Sequence, residues 1–183
     1  MSAVSLLRTV VAALDAAGIP FMLTGSLAAA CHGAGRATMD VDLVVAATAD
    51  QLRALVASLT RADLYVSSEA ALDALAHESI FNVVDTVSGW KADLIVRKGR
   101  PFSQAEFERR RPIEFEGIRL WVATVEDTII AKLEWARLGG SARQLEDVAA
   151  LVRVTGDRLD RAYLDRWIAE LGIQQQWRAV SSS

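Results

Sequence analysis

Asp40 and Asp42 stand one residue apart in RATMDVDLVV, fourteen positions after Ser26 of TGSLAAA. If DVDLVV is a strand, both carboxylates leave the same face, because residues i and i+2 of a strand point the same way. Carboxylates that close raise each other's pKa unless a cation lies between them. Mg²⁺ (or Mn²⁺) is the simplest such cation, since it takes oxygen ligands and shares them with substrate phosphates. Gly25-Ser26 reads as a tight strand-to-helix turn. Its free backbone N–H groups and the positive helix end suit a phosphate. A third acid, Asp93, lies in the apolar run KADLIV. Asp85 is a rival for that role, but it falls at the exposed, turn end of the preceding strand, so Asp93 is favoured.

Positioning these groups requires alternating strands and helices. Residues 3–17 carry apolar side chains at helical spacing (Val4, Leu7, Val11, Leu14) and stop at Gly18. IPFMLT reads as a short buried strand, 26–33 as an alanine-rich helix, 35–38 as a loop and 40–46 as a strand. Thr48 caps a helix through Leu59, and Ser68 caps EAALDALAH. ESIFNVVDT and WKADLIVR form a hairpin around Ser88-Gly89. Ser103 caps a helix ending at Arg109-Arg110-Arg111, and RPIEFEGIRLWVA makes a second hairpin at Glu116-Gly117. Thr124 caps VEDTIIAKLEWARL, which Gly139-Gly140 stops. Ser141 opens ARQLEDVAALVRV, Gly156 ends it, and a last helix runs from about Asp160 to Leu171. The expected class is α/β (α+β), with a small mixed sheet flanked by helices in residues 1–123 and a helical lobe in 124–183.

Composition agrees with a folded chain: 183 residues, 52% hydrophobic and 23% charged. The single cysteine, Cys31, rules out an internal disulfide and fits a reducing cytoplasm. It reads as a small buried side chain. The N-terminal stretch carries Arg8 and Asp15 without a basic leader and does not read as a signal peptide. No run of about 18 apolar residues suggests a membrane span. The net charge of −3 is unevenly spread: residues 1–90 hold 4 basic and 9 acidic side chains, and residues 91–183 hold 16 and 14. The near-neutral second half announces no nucleic-acid partner.

The order strand, Gly-Ser, Asp-x-Asp strand, third acidic strand resembles the nucleotidyltransferase superfamily of the DNA polymerase β type. The resemblance implies that fold, nucleotide phosphates at Gly25 and Ser26, two Mg²⁺ ions held by Asp40 and Asp42, and Asp93 as third ligand or activator of the attacking hydroxyl. Ala131-Lys132-Leu133-Glu134-Trp135, followed by Arg143-Gln144-Leu145-Glu146-Asp147, is similar to the K…R…D signature of the AbiEii-like (MenT-like) branch, which includes bacterial toxins. Many of those toxins carry an Arg-Asp dipeptide where this chain reads Gln144-Leu145-Glu146-Asp147. The likeness implies Lys132 and Arg143 on the nucleotide's phosphates, with Asp147 near the site. The implied activity is transfer of a nucleoside monophosphate from an NTP to a hydroxyl. The acceptor is a tRNA 3′ end, a protein or a small molecule, and in the toxin reading an antitoxin is a partner. The alternative is a non-catalytic module of the same fold that binds a partner or RNA.

Other residues have plainer readings beside functional ones. Arg143 and Asp147 also form an ordinary i,i+4 helix pair, and Lys132 also suits a surface lysine. Arg36, in the loop entering the Asp-x-Asp strand, is a candidate phosphate contact. Arg97, Lys98, Arg100 and Arg109 to Arg111 either grip phosphate or decorate a solvated helix end. His32 has no ligand-spaced companion, so zinc is not expected. Trp135, Trp167 and Trp177 are expected to pack the helical lobe.

Overall fold

The computed structural model describes residues 2–35, 38 and 40–181. Helix α1 (Ala3–Ala16) leads to β1 (Phe21–Thr24), α2 (Gly25–Cys31), β2 (Asp40–Val45), α3 (Ala49–Arg61), β3 (Tyr65–Val66) and α4 (Ser68–His77). There follow β4 (Ile80–Val84), β5 (Lys91–Val96), α5 (Pro101–Arg109), β6 (Arg111–Phe115) and β7 (Ile118–Val122). Four helices complete the chain: α6 (Val125–Gly139), α7 (Ala142–Thr155), α8 (Arg161–Leu171) and α9 (Gln174–Ser181). The seven strands form one sheet in the order β3-β4-β5-β2-β1-β7-β6. The β2/β5 and β1/β7 pairs are parallel and the others antiparallel. This is the expected class, a mixed sheet with helices around it.

Period-two alternation decides what each sheet face carries. Val41, Leu43 and Val45 of β2 and Ala92, Leu94 and Val96 of β5 join a core with Leu6, Leu7 and Leu14 of α1 and Leu52, Leu55 and Leu59 of α3. The intervening residues, Asp40, Asp42 and Val44, then Lys91, Asp93 and Ile95, face the other way. A second core unites Ile129, Ile130 and Leu133 of α6 with Val148 and Leu151 of α7, Leu164, Trp167 and Ile168 of α8, and Val180 of α9. Ala29 of α2 and Phe102 of α5 also enter it, which ties the helices to the sheet region. No described helix is long and apolar enough to cross a membrane.

Several local readings hold. Thr48 makes a full capping box with Gln51. Both expected hairpins form, and Glu116 and Gly117 at the second turn have φ of 50° and 69°. Others need correction. Ser67, not Ser68, caps α4 by accepting from the Ala70 amide. Ser103 lies inside α5, buried; Pro101 starts that helix, and Arg100 Nε–H donates to the Ser103 hydroxyl at 3.1 Å. Strand β3 and helix α9 were not expected: β3 is only two residues long, and α9 is mostly polar with Val180 as its one buried residue.

Polar contacts join α5, α6 and α8. Asp127 is fully buried. It accepts from the Thr124 hydroxyl at 2.6 Å, the Tyr163 hydroxyl at 2.6 Å and Arg109 Nε–H at 3.3 Å. The Arg109 guanidinium also lies 3.7 Å from the Tyr163 ring centre. Arg100 grips Glu134 with two bonds of 2.7 and 2.5 Å. Glu106 is buried beside this network. Burial, then the Asp127 charge, pushes its pKa from 4.5 up to about 8.

This sets a pH signature. Between pH 4.5 and 8 the folded chain keeps a proton on Glu106 that the unfolded chain has lost, so stability falls as pH rises through that window. The slope is at most about 1.4 kcal/mol per pH unit. Glu106→Gln should flatten the decline of Tm across this window, read by calorimetry at several pH values. A decline identical to wild type would mean that Glu106 does not set it.

Candidate active site

The centre of the sheet gathers the acids. In the parallel β2/β5 ladder Asp42 pairs with Asp93 and Asp40 with Lys91. The four side chains therefore share one face, with two carboxylates adjacent across the strands. On the other side of β2, Thr24 pairs with Asp42. The chain turns from β1 into α2 just there and brings Gly25 against the Asp42 carboxylate. A Cβ at Gly25 would stand 2.0 Å from Asp42 Oδ2, and Gly25 has φ of +66°. Only glycine meets both conditions. Thr24, the N-cap of α2, makes no side-chain cap hydrogen bond.

Asp42 is crowded by its own kind. Burial, then Asp93, then Asp40 raise its pKa to about 6, while Lys132 and Lys91 pull the other way. Lys91 is a cation within the acid group that the sequence reading passed over. Its Nζ lies 3.0 Å from Asp93 Oδ2 and 3.5 Å from Asp40 Oδ1, and the Asp93 contact chiefly raises the Lys91 pKa. The signal was present, since Lys91 and Asp93 have the same i, i+2 spacing that flagged Asp40 and Asp42. Asn82 Nδ2–H also donates to Asp93 Oδ1 at 2.6 Å, from the neighbouring strand β4.

Asp42 and Asp93 open into a cleft whose walls also include Gly25, Ser26, Lys132 and Trp135. Lys132 is buried, not a surface lysine, and its Nζ–H groups donate to Asp147 Oδ2 at 2.7 Å and Gln144 Oε1 at 3.2 Å. Asp147 thus meets the site through Lys132. Asp40 is half-exposed at the start of β2 and does not line the cleft. Arg143 is exposed on α7 and does not line it either. Arg36 lies outside the described residues. Asp85 is buried at the β4–β5 turn, not exposed as expected, and accepts from the Val87 amide and the Ser88 hydroxyl. Cys31 is only partly buried, and His32 Nε2 contacts the Ala123 carbonyl at 2.8 Å. Trp167 is buried, but Trp135 is half-exposed over the cleft.

The donor set fits a divalent cation. All of its ligating atoms are carboxylate oxygens, and a cation beside Asp42 would relieve the repulsion that holds its pKa up. Among the described residues no three acidic, histidine or cysteine groups form a ready cage. A cation would therefore lean on Asp42, Asp93 and the phosphates of a bound ligand.

The Gly25–Asp42 approach is testable by a mutant cycle. Gly25→Ala should cost about 1–2 kcal/mol from its left-handed φ alone, plus the cost of displacing the carboxylate. In an Asp42→Ala background only the first cost should remain. Urea unfolding of the four proteins gives the coupling, and equal costs in both backgrounds would show that the methyl and the carboxylate do not meet.

No protein-family model matches the chain, and no curated protein matches it by sequence. Solved structures do. The antibiotic-resistance factor ANT(2″)-Ia is similar in its solution structure (TM-score 0.63, 13% identity, 96% of each chain covered). Its crystal structure with adenylyl-2″-tobramycin is also similar (TM-score 0.60, 14% identity, 95% of this chain and 98% of that one). An antigenic nucleotidyltransferase-like protein from Paracoccidioides brasiliensis matches with TM-score 0.53 and 18% identity over 96% of this chain and 95% of its own. The lincosamide adenylyltransferase LnuA, bound to lincomycin, matches with TM-score 0.54 and 10% identity over 81% of this chain and 96% of its own. Identities this low speak to architecture, and that architecture is common to all of them: this chain has the nucleotidyltransferase fold.

Proposed function

We propose that the protein is a nucleotidyltransferase that moves a nucleoside monophosphate from an NTP to a hydroxyl. The observation that carries this reading is the Asp42/Asp93 pair, in register on central strands and sharing a cleft with Gly25, Ser26 and Lys132. Ser26 and the α2 amides would hold phosphate, and Lys132 would add a positive charge on the opposite wall. Mg²⁺ or Mn²⁺ on Asp42 and Asp93, with Asp40 at the rim, would neutralise charge on the transferred group. The hydroxyl oxygen attacks the α-phosphorus, the bond to the β-phosphate oxygen breaks, and pyrophosphate leaves. The hydroxyl proton passes to the Asp93 carboxylate, which Asn82 and Lys91 hold in orientation.

The resemblance of α6 and α7 to the AbiEii-like branch extends this reading. Lys132 paired with Asp147 would be its working form, and Arg36 and Arg143 would reach the phosphates as outer contacts. A tRNA 3′ end or a protein as acceptor, an antitoxin as partner and a cytoplasmic location belong to that extension. Antibiotic-modifying neighbours favour instead a small-molecule acceptor.

The test is incubation with each α-labelled NTP, Mg²⁺ or Mn²⁺ and cell lysate or RNA. Wild type should label an acceptor. Asp93→Asn should lose labelling by about 10²–10⁴-fold yet still bind an NTP analogue with Mn²⁺ in calorimetry. Asp42→Asn should lose that binding, and Asp85→Asn should behave as wild type. Retained labelling by both Asp42→Asn and Asp93→Asn would move the transfer away from this pair, and absence of labelling by wild type would leave the non-catalytic module as the better reading.

A further inference from the structure

A second hollow adjoins the acid cleft and shares Thr24, Ile95, Ala131 and Trp135 with it. One wall is a face of α6. Ala131, Glu134, Trp135 and Leu138 line it at positions i, i+3, i+4 and i+7. Trp135 is 51% exposed and Leu138 71%, whereas Ile129, Ile130 and Leu133 of the same helix are fully buried. An apolar stripe on one helix face is normally covered. Val44, Ile95 and Phe102 make the rest of the apolar lining.

The charges facing this hollow do not cancel. Five charged side chains line it: Arg97, Lys98, Arg100, Glu106 and Glu134. Arg100 and Glu134 neutralise each other through their paired hydrogen bonds. Buried Glu106 keeps its proton at neutral pH, its pKa pushed up to about 8. No carboxylate among the described residues forms an ion pair with Arg97 or Lys98. Arg97 also has a buried Nε without a hydrogen-bond partner. Its guanidinium lies 5.4 Å from the Phe107 ring centre, and the Arg110 guanidinium lies 4.2 Å from that same ring. Two unpaired cations therefore border an uncovered aromatic and aliphatic surface.

We infer that this hollow receives the acceptor and selects a small organic anion with a flat apolar body, a carboxylate- or phosphate-bearing hydroxy compound. The anionic group would meet Arg97 and Lys98 while the body lies on Trp135 and Leu138. A polycation of the aminoglycoside kind would face like charge. This inference rests on the nucleotidyltransferase reading, because it is the shared wall with the acid cleft that makes the occupant an acceptor.

The test uses the fluorescent anion 8-anilinonaphthalene-1-sulfonate as reporter, displaced in turn by 4-hydroxybenzoate, phenyl phosphate, tobramycin and a CCA oligoribonucleotide. The two aromatic anions should displace it, and their ranking separates carboxylate from phosphate preference. Lys98→Glu, at an exposed position that leaves the core intact, should weaken reporter and anion binding at least tenfold. Binding of an NTP analogue with Mn²⁺ should stay within about twofold. The proposal is overturned if tobramycin or the oligoribonucleotide displaces best, if Lys98→Glu leaves anion binding unchanged, or if it weakens NTP binding equally, which would assign the cations to the triphosphate. Failure of wild type to bind or transfer any NTP, with anion selectivity intact, would instead count against the nucleotidyltransferase reading and leave an anion site.

Discussion

Like charges packed side by side in the middle of a sheet are the constraint from which the rest of this molecule follows. Asp42 and Asp93 are register partners on β2 and β5, and the burial that raises the Asp42 pKa also weakens the screening of the pair by water. Such an arrangement persists only if opposite charge is supplied nearby. Lys91 supplies it from the same strand as Asp93, and Lys132 supplies it from across the cleft. Lys132 is itself buried and needs a counterion, which Asp147 provides from α7. The acids of the sheet are thus electrically linked to two helices far along the chain.

Mechanical support runs along the same route. Helix α6 is anchored at its start by Asp127, through Thr124, Tyr163 and Arg109, and toward its end by Glu134 through Arg100. Its apolar residues Ile129, Ile130 and Leu133 fill the helical core. Between these ties it presents Lys132 and Trp135 to the cleft. Buried hydrogen-bonded charges of this kind cost more to break than they contribute over an apolar replacement, so they hold the helix at one angle and depth.

Most of this could be read from residue order. The alternation in DVDLVV and KADLIV announced both strands and the face of the acids, because side-chain direction in a strand depends only on parity. Gly25 was legible as a turn. Its close approach to the Asp42 oxygen was not, because it depends on the Thr24–Asp42 register. Trp135 was expected to pack the helical lobe, yet it stays half-exposed, because covering depends on where α5 and β5 end and residue order does not give that. The adjacent serines 67 and 68 both suit a cap, and only backbone geometry chooses between them. The buried partners Glu106 and Asp127 gave no sequence signal, since a carboxylate in an amphipathic helix ordinarily faces solvent.

The double duty of α6 bears on how such a protein can change its chemistry over time. A helix whose residues serve the core, the anchoring network and the cleft wall tolerates few substitutions, because each one disturbs several properties together. The segment just after β5 carries a lighter load: Lys98 is exposed, and Gly99 is tied through its backbone alone, its N–H donating to Glu78 and its carbonyl accepting from Gln104. New specificities should therefore arise by exchange of residues in that short segment, while α6 drifts slowly. The sheet and its acids would then act as a fixed engine behind an exchangeable rim.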